Sequence, residues 1–592
     1  MPNNTGISQA ALKLIEKKVM EMRPQDRLCT LCMDEISLKT NLSYNLPEDK
    51  IISLEDFGGC YRTNKVATSA LVLLIRSISG KWKQPIGYYL ANGACPTNVM
   101  EDVMKEAIDK LEGIGLDIVV VMSDQGSNFY SLAQRLQVSP ERPWFIHNNK
   151  MYFLMFDPPH LIKSVRNNLM KYSLRFDQNV ATWKDIEVVY EKDSSLPIRS
   201  TPKLTEKHIH PNNFQKMKVK LATQVMSHTV AAAICMYVSL GLLPPTAMGT
   251  AELIEKFDSV FDCVNSSTLH STKKLKCAIS DQTTRITFMK EAMGFIKRLQ
   301  VMQGNINVTG RIKCLKGWLI TLKAIISIWE HLKTKHNFKF LLTRRLNTDP
   351  LENFFGTIRQ QGGNSDNPTP VQFSSAFRKL FFSPFLTSST GNCAADFDDL
   401  LANFEKKVKA RPVISTPTPQ HTGTLEIGPV DYREDAIDSN IVKDNAIAYV
   451  AGYLLHKCLK IHTCPKCTDE LQCNNLDDNR KLFCYFKAYD QTEGTFGGLH
   501  APSQSFLNYV IELENTFFKH FSVYTKSLSV GANIMKLLKK IPVPFKCCDN
   551  FPVDYLQKLF LRLRIYYSLK FANRDFSNTK LKNRKYMKVA HL

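Results

Sequence analysis

The stretch LDIVVVMSDQGSNF, from Leu116 to Phe129, constrains the fold more than any other part of the chain. Its centre, Ile118 to Met122, is an unbroken apolar run, and it ends in polar residues and a glycine. A strand without alternating polar side chains must be covered on both faces, so this one belongs inside a sheet that carries helices. The flanking pattern agrees. RLCTLCMDEISLK, KVATSALVLLIRSIS and QPIGYYLA read as three earlier strands, rich in β-branched and aromatic residues. TNVMEDVMKEAIDKLEGIG reads as an amphipathic helix ending at Gly113 and Gly115. KMYFLMFDPPHLIKSVRNNLMK reads as a strand that runs through Asp157-Pro-Pro into a helix. Early strands, helix, strand, then strand and helix describe an α/β domain: a mixed sheet flanked by helices.

The remaining boundaries follow from where that pattern stops. Residues 1–24 hold a short N-terminal helical segment, and 25–170 the first part of the sheet domain. Residues 171–345 lose strand character and are predicted to be all-helical. Residues 346–408 open with LNTDPLENFFGTIRQQGG and return to helices of the sheet domain. Pro, Thr, Ser and Gly crowd 363–372 and 409–430, so 409–434 reads as a linker. Residues 435–592 form a largely helical C-terminal region with a basic tail. The longest apolar run, Val230 to Leu243, is too short to span a bilayer and stops at Pro244-Pro245, so it is predicted to be a buried helix and no membrane partner is expected.

Charge narrows the partner. With 77 basic against 55 acidic residues the chain carries a formal +22, which favours polyanions, nucleic acid before anionic membrane. No secretory leader is visible at the N-terminus, and 16 scattered cysteines fit reduced thiols in a cytosolic or nuclear setting.

Acidic residues then mark a site. Asp34 lies within the first strand and Asp124 at the carboxyl end of the buried one, where open α/β sheets collect their ligands. A carboxylate behind Val119–Met122 is costly to desolvate unless a cation or a cap compensates. The plainer alternatives are a turn role for Asp124 in SDQGSN and a strand-edge role for Asp34 beside Glu35. Later, Asp349 and Glu352 stand three apart and so share a helix face. Taken alone they read as a helix start, with Asp349 as N-cap, Pro350 in the first turn and Glu352 filling a capping pattern. Together, two strand aspartates and one helix glutamate offer hard oxygen ligands suited to two Mg²⁺ or Mn²⁺ ions. Two such ions about 4 Å apart serve both oxygens of an in-line phosphoryl displacement. On this reading Glu352 completes the metal site and Asp349 does something else.

Four motifs in order, MDEIS, SDQGSNF, FDPPHLIKSVRNNL and TDPLENFFGTIRQQGG, resemble the P-element transposase family, including its THAP-domain-bearing vertebrate relatives. The resemblance runs from about Asp34 to about Leu471. It implies an RNase H-like catalytic domain with a split Asp-Asp-Glu triad, falling here on Asp34, Asp124 and Glu352, which would bind two Mg²⁺ ions. Asp157-Pro-Pro-His160 matches a D-x-x-H signature of related transposases, and a structural role for His160 is the expected one.

The resemblance also implies a guanine-nucleotide-binding domain between the second Asp and the Glu. KLTEKHIHPNNFQKMKVKLATQVMSHTV and FDSVFDCVNSS resemble its two segments. No G-x-x-x-x-G-K-[ST] loop occurs, so any pocket is not of the P-loop kind. The residues implied for GTP are Lys203, Lys218 and Val219, then Phe261, Asp262 and Asn265, with Asp349 reaching in. The alternative is a helical scaffold whose lysines form a solvated face.

The family normally opens with a zinc-dependent THAP module and a coiled coil, whereas this chain starts just before the catalytic strand. Cys29 and Cys32 cannot substitute for that module, because strand residues three apart face opposite sides. Near the other end, Cys464-Pro-Lys-Cys467 has zinc-knuckle spacing, with His456, Cys458, His462 and Cys473 close by, but no second C-x-x-C pair sits at finger spacing, and buried free thiols are the default alternative. The expectation is a nuclear, oligomeric cut-and-paste DNA transposase with GTP as cofactor. Lys163, Arg166, Arg359 and the tail would contact DNA phosphates. The alternative is a domesticated or truncated nucleic-acid-binding descendant that does not transpose.

Overall fold

The computed structural model describes residues 5–59, 61–194, 199–271, 274–362, 367–382, 399–400, 439–473, 500–545 and 548–589. The chain forms two compact units, one of residues 1–40 and 54–404, the other of 41–53 and 405–592. The linker expected over 409–434 lies outside the described residues.

The first unit is built on a mixed sheet. Its principal strands are β1 (Leu28–Ser37), β2 (Ser69–Ser77), β3 (Trp82–Ala91), β4 (Asp117–Ser123) and β5 (Lys150–Phe156), in the spatial order β5-β4-β1-β2-β3. β1, β2 and β3 pair antiparallel, while β4 and β5 run parallel to β1. Short strands missing from the sequence reading extend both edges: Trp144–His147 beside β5, and Leu54–Asp56 with Arg62–Val66 beyond β3. Every residue of β2 and β3 is buried, and β4 is buried from Ile118 onward, as its unbroken apolar run requires. Cys29 and Cys32 are buried within β1.

Helices cover this sheet. α1 (Thr97–Gly113) crosses from β3 to β4 and packs on β4 through its buried face, Met100, Val103, Met104, Ala107, Ile108 and Leu111. α2 (Pro158–Leu169) continues directly from β5. α3 (Val219–Val225) and α4 (Met248–Val264) belong to the insertion, and both pack on α2. α5 (Lys313–His336) lies on β5, where the Thr321 hydroxyl donates to the Phe156 carbonyl at 3.0 Å. α6 (Asp349–Gln361) packs on β1, and α7 (Pro370–Phe382) on β3.

The insertion is not all-helical. Ser173–Phe176, Asn179–Ala181, Gln300–Gln303 and Ile306–Asn307 form a four-stranded antiparallel sheet. Strands of two to four residues are too short to show a period of two, which is why they escape a pattern reading. Their hairpins turn at Asp177 and Gly304, with φ of +48° and +59°, the left-handed backbone that tight hairpins need. The apolar segment Val219–Ser239 is long and apolar enough to cross a membrane by length and composition, with 44% of its most apolar 18-residue stretch buried. It is broken into α3 and the helix His228–Ser239, and the latter packs on α4.

Among the described residues, the second unit is helical apart from the small hairpin Ser43–Asn45 with Lys50–Ile52. Its described helices are α8 (Ser439–Ile461), α9 (Pro465–Leu471), α10 (Gln504–Tyr524), α11 (Val530–Leu538) and α12 (Val553–Val589), the last reaching into the basic tail. Asp49, at the hairpin turn, accepts hydrogen bonds from the Gly531 and Ala532 amides at 2.6 and 2.7 Å, so a residue distant in sequence caps α11. A carboxylate there meets both unpaired amides and the positive end of the helix. Asp49→Ala is expected to lower stability by about 1–2 kcal/mol in urea unfolding, with Asp49→Asn retaining part of it. Equal stability of the two variants and the parent would remove the cap from the account.

Candidate active site

Register places the acids before any side chain is considered. Met33 pairs with Ser123, and Ser123 with Phe156. The next residue on each chain segment is an aspartate: Asp34, Asp124 and Asp157. Three adjacent parallel segments, each about 4.8 Å from the next, thus carry carboxylates in one row. Asp34 is only 8% exposed, and its Oδ1 accepts from the Glu35 amide at 2.7 Å. Glu35 is engaged elsewhere: its Oε1 accepts from the Cys95 amide and from Asn128 Nδ2 at 2.8 and 2.9 Å, a structural role. Asp124 Oδ1 accepts from the Gly126 amide at 2.8 Å, opening the helix Ser127–Arg135. The turn role therefore holds for Asp124, and that bond engages one carboxylate oxygen. A Cβ at residue 126 would stand 2.7 Å from Asn128 Oδ1 and 3.1 Å from Asp124 Oδ1, so glycine there lets the turn close beside the carboxylate.

The third acid arrives by a different route. Asp157 is the N-cap of α2, with prolines following, and its Oδ2 accepts from the His160 amide at 3.2 Å. Its Oδ1 accepts from the Thr348 amide at 2.8 Å. The start of α6 is thus pinned to the end of β5. Thr348 is the N-cap of α6 and Asp349 its first helical residue, so the expected N-cap role for Asp349 is corrected. The Leu351 and Glu352 amides donate to the Thr348 carbonyl, and Asp157, from another element, holds the amide of Thr348 itself. One turn into α6, Glu352 Oε1 lies 2.6 Å from His160 Nε2. The ligand atoms of Asp157, His160 and Glu352 all fall within 4.8 Å of one another. His160 therefore does more than sit at its helix start.

Charge is crowded here. Burial first, then the neighbouring charges of Asp124 and Glu352, hold Asp34 well above the usual carboxylate range, and His160 opposes them. Burial also raises Asp157, with His160 opposing and Glu352 adding. Burial pulls His160 down, but its bond to Glu352, helped by Asp157, pushes the imidazole up to about 9. Buried carboxylates that repel one another, with hard oxygen donors and a single imidazolium among them, fit a site completed by divalent cations.

The residues implied for nucleotide binding divide into two sets. Asn265 caps the end of α4, and Asn347 joins it to Asp349, donating to Asp349 Oδ2 at 2.9 Å and to Asn265 Oδ1 at 3.4 Å. Buried Arg76 on β2 donates to Asn347 Oδ1 at 3.2 Å and to the Arg344 carbonyl at 2.9 Å, fixing that orientation. Arg285, fully buried, ties Ser266 to Thr343 and holds the same two segments together. Phe261 and Asp262 are half-buried on α4, and Asp262 lies 3.8 Å from Lys276 Nζ. Burial, then Asp157 and Glu352, push Asp349 up to about 7, against Arg344 and Arg76. Lys203 and Lys218 are exposed on the other segment, with Lys218 at the N-cap of α3 and Val219 its first residue.

Asp157, His160, Arg76 and Asn347 join the site without having been assigned to it from sequence. The signals were present: the D-x-x-H spacing, a lone arginine in the apolar run SALVLLIRS, and the asparagine before TDP. Arg166 is corrected in the other direction. It is fully buried, with Nη2 donating to the Lys216 carbonyl at 3.0 Å, so it does not offer a surface contact to DNA.

Comparison with known proteins supports the RNase H-like fold of the first unit. Family models match in chain order: the TNP-like RNase H N-terminal domain over residues 3–137, the TNP-like GTP-binding insertion domain over 159–278, the TNP-like RNase H C-terminal domain over 345–378, and the C-terminal domain of DNA transposase THAP9 over 438–555. The chain is 25% identical to the transposable element P transposase of Drosophila melanogaster over 584 residues, covering 95% of this chain and 70% of that protein. It is 23% identical to the DNA transposase THAP9 of Homo sapiens over 594 residues, covering 94% of this chain and 63% of that protein. Among solved structures it resembles the Drosophila P element transposase strand transfer complex, with a TM-score of 0.56 and 25% identity, over 64% of this chain and 81% of that one.

Proposed function

We propose, because the chain belongs to the P-element transposase family, that it cuts and rejoins DNA at the carboxylate row of its RNase H-like sheet. The observation that carries this reading is the register that sets Asp34 beside Asp124, with Glu352 brought to them on α6. Asp34, Asp124 and Glu352 would hold two Mg²⁺ ions, which when bound supply an activated nucleophile and stabilise the leaving oxygen of an in-line phosphoryl displacement. Asp157 fixes the start of α6 through the Thr348 amide, and His160 fixes the Glu352 carboxylate. Water would be the first nucleophile and the freed 3′-hydroxyl the second, so one set of acids serves both cutting and joining. Lys163, Arg359 and the basic tail would meet DNA phosphates, making affinity salt-dependent. The protein would act as an oligomer, in the nucleus, where its DNA substrate lies.

The test is cleavage of DNA bearing the element's terminal repeats by the full chain. Nicking with Mg²⁺, abolished by EDTA, is expected. DNA binding without nicking at any divalent-ion concentration would leave the binding-only descendant as the correct reading.

Guanine nucleotide would serve as an architectural cofactor at the second cluster, with Asp262 accepting from guanine N–H donors and the lysines facing phosphate. Supporting this, Asp349 faces Asn265 through Asn347 while Glu352 faces His160, so neighbouring acids on one helix start serve separate sites. Asp262→Ala is expected to weaken a fluorescent GTP analogue by about tenfold or more, the cost of a hydrogen bond to a charged group. Glu352→Gln should bind it normally. Parallel loss in both variants would point to general unfolding, and no loss in Asp262→Ala would end the assignment.

A further inference from the structure

We propose that the second unit carries a structural zinc ion held by His462, Cys464, Cys467 and Cys548. The donors converge from two parts of the unit. His462 follows the end of α8, Cys464 is the N-cap of α9, and Cys467 is the third residue of α9. An N-cap and the third helical residue face the same side, which is what a C-x-x-C pair at a helix start achieves. Cys548 comes from the connection between α11 and α12, 81 residues after Cys467. His462 Nε2 lies 3.1 Å from Cys548 Sγ and 3.5 Å from Cys467 Sγ, and the two sulfurs are 3.3 Å apart. All four donor atoms fall within 4.8 Å of one another. Tetrahedral zinc, with Zn–S near 2.3 Å and Zn–N near 2.1 Å, needs donor–donor edges of about 3.6–3.8 Å, so small shifts of these side chains would seat the ion.

The chemistry of the set points to zinc rather than a harder cation. Three sulfurs and one imidazole are soft to borderline ligands, and a full set of four protein ligands makes a closed, structural site. Cys467 is fully buried and the others are half-buried, with the His462 ring edge-on to Phe551 at 6.1 Å. A Cys467–Cys548 disulfide is the competing arrangement, but it would leave Cys464 and His462 converging without purpose. Of the neighbours expected from sequence, only His462 joins: the His456 ring lies against His500, Cys458 is buried in α8, and the Cys473 amide donates to the Ala501 carbonyl. The ion would clamp the start of α9 to the segment that leads into α12.

The test is metal analysis of the full chain purified under reducing conditions without chelator. About one zinc per chain is expected, together with the visible spectrum of tetrahedral thiolate-bound cobalt after exchange with Co²⁺. Cys464→Ser and Cys548→Ser should lose that equivalent, whereas Cys458→Ser and Cys473→Ser should keep it. Cys548→His restores a ligand, so it should retain zinc and shift the cobalt spectrum toward a two-sulfur, two-nitrogen site even where serine variants fold poorly. Metal-free wild type, zinc retained in Cys548→Ser, or a Cys467–Cys548 disulfide found by mass spectrometry of the unreduced chain would each overturn the proposal.

Discussion

Asp124→Asn is expected to reduce DNA cleavage by about a thousandfold or more, without lowering thermal stability. The amide keeps the size of the carboxylate and its Oδ1 acceptor for the Gly126 amide, so the turn into the following helix survives. What disappears is one negative charge from the row. A ligand charge lost from a two-metal site removes several kcal/mol of transition-state stabilisation, and each 1.36 kcal/mol is about tenfold in rate. Stability should move the other way or not at all. Asp34 is held well above the usual carboxylate range by burial and then by the Asp124 charge, so the folded state at neutral pH bears a repulsion that the amide relieves. A purely structural aspartate would show the opposite pairing, a lower melting temperature with cleavage falling only in proportion. Measuring both on one preparation separates the readings, and near-normal cleavage by Asp124→Asn would end the catalytic assignment.

The parts of this fold legible in sequence are those where burial dictates pattern. β4 announces itself because a strand covered on both faces cannot spare a polar position, and α1 because its apolar residues recur on one face. Asp34 and Asp124 were readable for a related reason: an acid that interrupts or ends such a run needs a partner. The small sheet of the insertion was not readable, since its strands are too short to show any period. The partners of Glu352 were also hidden. His160 lies 192 residues away in sequence, and only the placement of α6 against β1 brings the two together. Cys548 joins Cys467 in the same manner, across 81 residues, with no spacing rule to advertise it. The Asp349 N-cap expectation fails because capping rules are local, whereas α6 starts from Thr348, whose amide is held by Asp157 on another element.

His160→Ala should reduce cleavage by about ten- to a hundredfold, the range found when a group that orients a metal ligand is removed. His160 Nε2 is the partner of Glu352 Oε1 at 2.6 Å, and the His160 backbone amide is held by Asp157, so the ring bonds Glu352 from an anchored helix start. Without it, the Glu352 carboxylate faces the charges of Asp34, Asp157 and Asp349 with less compensation, and its rotamer is less well defined. The pair is mostly shielded, at 16% and 24% side-chain exposure, so losing it should also cost stability, about 1–2 kcal/mol once solvent screening is allowed for. A lost stability contribution alone does not identify the role, because many buried substitutions destabilise. The informative comparison is His160→Gln, which keeps an N–H donor directed at Glu352 without the positive charge. If His160 positions Glu352, Gln should recover part of the cleavage rate, and the remaining deficit in Ala should persist at saturating Mg²⁺. Equal rates for His160→Ala and the parent enzyme, measured below the melting temperature of both, would mean that Glu352 needs no such support.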